Sequence, residues 1–190
     1  ASDVGKETFQ VARWSLRRVR GGLGIATVAA NAVFAAITGS SIASAAVFTR
    51  VATPEMMDQG YTARFSVGVV AGSSVLGMLI PPSLLLIVYG FLAEQSVGVL
   101  FIAAIIPGLI LALAFALLIL AMATWRPQWI GDVRVTDTAG DDESVLSATI
   151  KLFPILSLVA LVIGGIYGGI FTPTEAGAAG SLGALIIGLM

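Results

Sequence analysis

The residues of this 190-residue chain that could bind anything sit in two short polar strings inside apolar sequence. The first runs from Thr38-Gly39-Ser40-Ser41 to Ser44; the second runs from Gly72-Ser73-Ser74 through Gly77 to Pro81-Pro82-Ser83. Their polar side chains are hydroxyls, and their glycines and prolines interrupt helices, which frees backbone carbonyls and amides from helical pairing. Carbonyl and hydroxyl oxygens are hard, neutral ligands suited to a bare monovalent cation. The N-terminus of a half-helix at the same break can hold a carboxylate. Such discontinuous helices meeting inside a bilayer are the pattern of a secondary transporter's binding site. The reading without chemistry is that both strings are flexible packing points.

Other chemistries are closed off. With no His and no Cys there is no Ser–His or Cys–His nucleophile, no thiolate metal site and no disulfide. No ionisable side chain lies within the long uncharged runs, which argues against proton relays, voltage sensing and an aspartyl pair in the membrane. Serine and metal-dependent intramembrane proteases both need histidine. A formal net charge of −1 gives no attraction for nucleic acid. The chain therefore does not read as an enzyme.

The elements that must position the two strings are membrane helices. Apolar residues are 57% of the chain and charged residues 11%, against about 45–50% and about 25% in soluble domains. Uncharged runs cover Gly21–Thr49, Phe65–Ala93, Gln95–Trp125 and Leu152–Thr174, each at least the roughly 20 residues a bilayer span requires. Strand alternation, the mark of a β-barrel, is lacking. The fold class is thus an all-α, polytopic integral membrane protein. The final apolar run begins after Glu175 and reaches the last residue, Met190, too soon to span, so the chain reads as an internal fragment of a longer protein.

Charge placement separates spans from a hairpin. If all four runs cross once, the ten Lys and Arg residues divide equally between the two faces. If Gly21–Thr49 instead enters and leaves on one side, all ten fall on one face and the opposite face keeps only Glu94 and Glu175. The positive-inside rule favours the second arrangement. The expectation is a re-entrant hairpin over 21–53, turning at Thr38–Ser41, with an 18-residue first arm and a shorter, 12-residue return from Ile42 to about Thr53. A cytoplasmic connector over 54–64 then leads to a broken transmembrane helix over 65–93, whose halves, 65–75 and roughly 82–93, are parted by the double proline.

The rest is more regular. Residues 1–20 form an amphipathic interfacial helix, with Phe9, Ala12, Leu16 and Val19 on one stripe and Trp14 as an anchor. A span covers 97–125, a polar cytoplasmic connector 126–151, and a second span 152–170. In the connector Asp141-Asp142-Glu143 heads a short helix. Thr172-Pro173-Thr174-Glu175 is a capping box that opens a further helix over 173–190.

Several strings read together resemble one family. Ala35-Ala36-Ile37-Thr38-Gly39-Ser40-Ser41, Met57-Asp58-Gln59-Gly60-Tyr61, Gly72-Ser73-Ser74 with Ile80-Pro81-Pro82-Ser83 and Tyr89-Gly90, and Phe171-Thr172-Pro173-Thr174-Glu175-Ala176 resemble the large, DctM-like membrane subunit of tripartite ATP-independent periplasmic (TRAP) transporters. The likeness runs collinearly across about 20–190.

The resemblance implies a sodium-driven, elevator-type importer of organic acids in the bacterial inner membrane. It implies inverted repeats with one hairpin each, a small four-helix membrane subunit and a periplasmic substrate-binding protein as partners. Residues 1–20 and 126–151 would then be arm helices. By the same likeness Na+ is the coupling ion, held by Gly39, Ser40 and Ser41 at the hairpin tip and by Ser73, Ser74 and Gly77 at the break. Asn31, Thr38, Pro82 and Ser83 would shape the pocket for the organic anion. A second hairpin and second sodium site would lie outside this chain. Two rival readings stand beside it: another hairpin-containing anion or proton-coupled transporter, and a membrane enzyme or assembly subunit whose active residues lie elsewhere.

Overall fold

A computed structural model of the chain describes Phe9, Ala12, 21–131, 157–158, 160–172, 175–176, 178–180, 182–183 and 185. The expected arm helix over 1–20, apart from Phe9 and Ala12, the connector beyond residue 131 and the start of the 152–170 span lie outside these residues. The described chain is helical, with no strand among the described residues and one isolated bridge, Tyr61 to Gly131.

Helix α1 (Gly22–Thr38) and helix α2 (Ser41–Asp58) are joined by two residues that each do one local job. Gly39, at φ 59°, takes the left-handed conformation that ends a helix and donates its N–H to the Ala35 carbonyl at 2.8 Å. Ser40 is extended, and its hydroxyl accepts the Ala43 N–H at 3.3 Å, which starts α2. The arms run antiparallel. Phe34 meets Phe48 edge to face with centroids 5.6 Å apart, and further from the turn Thr27 Oγ1 lies 3.7 Å from the Met56 sulfur.

The returning arm is longer than expected. Ending a helix before Pro54 follows the usual rule for the residue preceding proline, yet α2 continues through Pro54 to Asp58. Pro54 is on the exposed side, where a lost backbone bond is cheap, and Met56 beyond it is fully buried, so packing holds the last turn. The two arms, 17 and 18 residues, are thus each about 25–27 Å long. The second arm runs five residues past its expected end at Thr53, and the non-helical connector shrinks to 59–62.

Thr62 caps helix α3 (Ala63–Ser74), its hydroxyl accepting the Phe65 N–H at 3.3 Å. A single tightened residue, Val75, leads into the short α4 (Leu76–Leu79). The break comes at Ile80–Ser83, around the double proline as expected, with α4 as a further turn past the expected end of the first half, and helix α5 (Leu84–Leu92) follows at 42° to the axis before it. Glycine weakens a helix by about 1 kcal/mol, which the buried Leu76 can offset; consecutive prolines remove donors outright.

Helix α6 (Val97–Trp125) has 29 residues and alone among the described residues is long and apolar enough to cross a membrane unbroken. One face, with Val99, Ile102, Ile106, Leu109, Leu113 and Leu117 at three- and four-residue spacing, is exposed. The short α7 (Pro127–Ile130) folds back from its end. Residues 160–167 are again helical, and Thr172 and Glu175 form the expected capping box: Thr172 N–H donates to Glu175 Oε2 at 2.8 Å, and Glu175 N–H donates to Thr172 Oγ1 at 3.3 Å.

Helix α1 is the central element, packed against α2, α3, α4 and α6. Small residues allow that approach: Ala26, Thr27, Ala30 and Ala35 are all fully buried. Phe34, Phe48, Met56, Val70 and Leu76 fill the space between helices. Phe48→Ala is expected to cost about 3–5 kcal/mol, as for other buried phenylalanines, and Phe48→Leu distinctly less. Thermal unfolding of the full-length protein in detergent checks this, and equal melting temperatures for wild type and Phe48→Ala would contradict the packing described.

Candidate functional site

The site begins with a loss of backbone donors. Pro81 and Pro82 have no N–H, so the Gly77 and Met78 carbonyls lose the partners a continuous helix would supply. Met78 recovers one from a side chain, since Ser83 Oγ donates to its carbonyl at 2.7 Å. At the head of α5 the Leu84 N–H donates at 3.3 Å to the carbonyl of Gly39, the hairpin's turning residue. The hairpin tip therefore closes on the break through backbone atoms.

Two glycines permit that approach. A Cβ on Gly77 would stand 2.8 Å from the Ser41 nitrogen and 2.9 Å from the Ser40 carbonyl carbon. A Cβ on Gly39 would overlap the Pro82 carbonyl oxygen, and its φ disfavours any side chain. The tip is thus wedged between α4 on one side and Pro82–Ser83 on the other.

Of the six residues expected to hold a cation, Gly39, Ser40, Ser41 and Gly77 come together here. Ser73 and Ser74 sit one turn earlier on α3, both buried. Their hydroxyls donate to the Val69 and Val70 carbonyls, each at 2.6 Å. Ser73 Oγ also accepts from Asn31 Nδ2 at 2.6 Å, which ties α3 to α1.

The expected substrate residues divide differently. Asn31 and Ser83 are fully buried, and each has a partner within the fold. Thr38 donates to the Phe34 carbonyl at 3.0 Å, and Pro82 is half-buried against Gly39. Asn31 Oδ1 and Ser44 Oγ are buried atoms without a hydrogen-bond partner, so acceptor capacity remains along the hairpin below its tip. The Leu84 amide and the Met78 carbonyl were not anticipated. Both were implied by the sequence, as the first turn of a half-helix and as the position four residues before Pro82.

The arrangement presents neutral oxygen and backbone N–H groups at a junction of three helix ends, Thr38, Leu79 and Leu84. No group of three or more carboxylate, imidazole or thiol side chains gathers among the described residues. This chemistry can ligate a monovalent cation and receive an anion. It supplies neither nucleophile nor general base.

Residues 1–190 match the family model described as the tripartite ATP-independent periplasmic transporter, DctM component. The chain is 37% identical over 186 residues to the C4-dicarboxylate TRAP transporter large permease protein DctM of Pseudomonas aeruginosa, covering 98% of this chain and 42% of that protein. It is 37% identical over 169 residues to the ectoine TRAP transporter large permease protein TeaC of Halomonas elongata, covering 89% and 38%. Identity to the sialic acid TRAP transporter permease protein SiaT of Haemophilus influenzae is 31% over 185 residues, covering 97% and 29%. The chain spans about two fifths or less of the length of these relatives.

The wedge makes a contrast among glycines. Gly68, on the same helix as Ser73, has open space where a Cβ would go, so Gly68→Ala is expected to raise stability by about 0.5–1 kcal/mol. Gly77→Ala must push the tip away and is expected to lower both melting temperature and transport by the full-length protein. Indistinguishable behaviour of the two variants would show that the tip does not rest on Gly77.

Proposed function

We propose a function from one premise: the chain belongs to the DctM family, the large permease component of tripartite ATP-independent periplasmic transporters. In this proposal the full-length protein is a multi-pass permease of the bacterial inner membrane that imports a small organic acid by secondary transport coupled to Na+. The α1–α2 hairpin enters and leaves on one side, and α3–α5 is a broken span beside it. The two move together as a rigid body against a scaffold that includes α6.

One observation carries the reading. The hairpin tip and the helix break touch through Gly39, Ser40, Gly77 and Pro82, bringing carbonyl and hydroxyl oxygens together in two strings that carry no charged residue. Na+ fits that donor set, since it takes neutral oxygen ligands and needs no thiolate or imidazole. Gly39, Ser40, Ser41 and Gly77 supply the tip side of the site. Ser73 and Ser74 contribute from α3, where Ser74 Oγ keeps its lone pairs and Ser73 Oγ keeps one beside that taken by Asn31.

The relatives' names support an organic acid, C4-dicarboxylate in one and sialic acid in another, while ectoine in a third widens the range. The family description supports the proposed partners, a small membrane subunit and a periplasmic substrate-binding protein. In such an assembly the soluble partner sets much of the substrate choice.

Proteoliposomes containing the full-length permease, its small subunit and its binding protein test the coupling. Uptake is expected to follow an inward sodium gradient and to stop when that gradient is dissipated. Uptake indifferent to sodium would sink the proposal. Ser40→Ala and Ser73→Ala are each expected to shift sodium activation to higher concentration. A thermal melt accompanies them, because Ser40→Ala also removes the α2 cap, worth about 1 kcal/mol. Unchanged sodium activation in both variants would remove these hydroxyls from the site.

A further inference from the structure

Far from the hairpin tip, at the foot of α3, a second construction is not used by the transport site. The turn after α2 and the short α7, just past the end of α6, are clasped together. Thr62 N–H donates to the Ile130 carbonyl at 2.7 Å, and Thr62 Oγ1 donates to the Trp129 carbonyl at 2.9 Å. Tyr61 and Ile130 are buried beneath the clasp, and burial pushes the Tyr61 phenol up, so it stays neutral there. Two basic residues flank it in the chain, Arg64 two residues past Thr62 and Arg126 three residues before Trp129, both exposed. The Arg126 guanidinium lies over the Trp129 ring, 5.7 Å from its centroid. Among the described residues neither arginine pairs with a carboxylate; Asp58, on the same turn, is bonded to neither.

From this placement we infer that the clasp is a binding site for the headgroup phosphate of an anionic phospholipid. The position suits it. Helix α6 is the span long enough to cross a bilayer, and it ends at Trp125, which is 82% exposed and immediately followed by Arg126. Trp125 and Trp129 therefore sit where indole rings settle, at headgroup level. A guanidinium beside an indole still has N–H groups to offer, and its planar fork matches two phosphate oxygens at once. Arg64 adds a second charge from the neighbouring element. The exposed apolar stripe of α6 leads up to this point and lies alongside the acyl chains of a lipid bound there.

Phosphatidylglycerol is the probe, added in graded amounts to the purified full-length permease in a neutral detergent, with melting temperature as the readout. Phosphatidylglycerol is expected to stabilise the wild type well beyond phosphatidylcholine of the same chains. Arg64→Gln and Arg126→Gln are each expected to weaken the apparent affinity about fivefold, the value of one arginine at an anionic surface. Arg126→Lys falls between, keeping charge but losing the stacked fork. Arg50→Gln, on the middle of α2, leaves the affinity unchanged. Equal response to the two lipids, or no effect of either glutamine variant, overturns the assignment. If inorganic phosphate alone reproduces the shift, the site takes a free anion and the lipid assignment fails.

Discussion

Two consecutive prolines inside an apolar run impose the constraint around which the rest of the structure is arranged. A helix in a bilayer pairs its own backbone groups because no water reaches them. Pro81 and Pro82 withdraw two donors, and the neighbouring elements answer that loss. Ser83 turns its hydroxyl to the Met78 carbonyl, and the first turn of α5 gives an amide to Gly39. The hairpin tip can offer its carbonyl only because glycine at 39 and glycine at 77 let two backbones come within contact distance. The candidate binding site and the repair of the broken helix are thus the same set of atoms.

Much of this was legible in the sequence, and the parts that were not have physical reasons. The turn at Thr38–Ser41 could be placed because Gly39 and Ser40 carry opposite local signals, one ending a helix and one beginning the next. The second arm was misjudged at Pro54, where a local rule yields to the burial of Met56 two residues later. The double proline marks the break in the sequence, but the further turn Leu76–Leu79 before it is not legible there, since glycine merely weakens a helix while proline denies it a donor. In the site, the meeting of tip and break was an expectation of the family resemblance, not of composition. Which atoms meet followed from neither, since contact between Gly39 and Leu84 depends on how α1 packs against α4. Asn31 and Ser83 show the same limit. Their types suggest a pocket, but only the fold reveals that each is fully buried and bonded within it.

The placement of the basic residues favours a hairpin because that arrangement puts every one of them on one face. Yet α2 extends to Asp58 and carries Arg50 at its tenth position, about 14 Å along the arm from Ser41. A basic residue at that height on an exposed helix face needs water, an anion or another protein surface beside it. Small residues along α1 and long apolar ones along α6 assign these helices to the interior and the edge of the bundle more firmly than charge does.

The clasp between Thr62 and Trp129 joins residues 67 apart in the chain, whereas the contacts between the two hairpin arms are far more local. Synthesis runs from the N-terminus, so the hairpin and the broken helix emerge while the other half of the clasp is still to be made. The arms can pair early, since short loops close at small entropic cost. The foot of α3 is fixed only after all of α6 has followed. The order of construction is therefore built into the chain: the hairpin and the broken helix assemble first and are fastened afterwards.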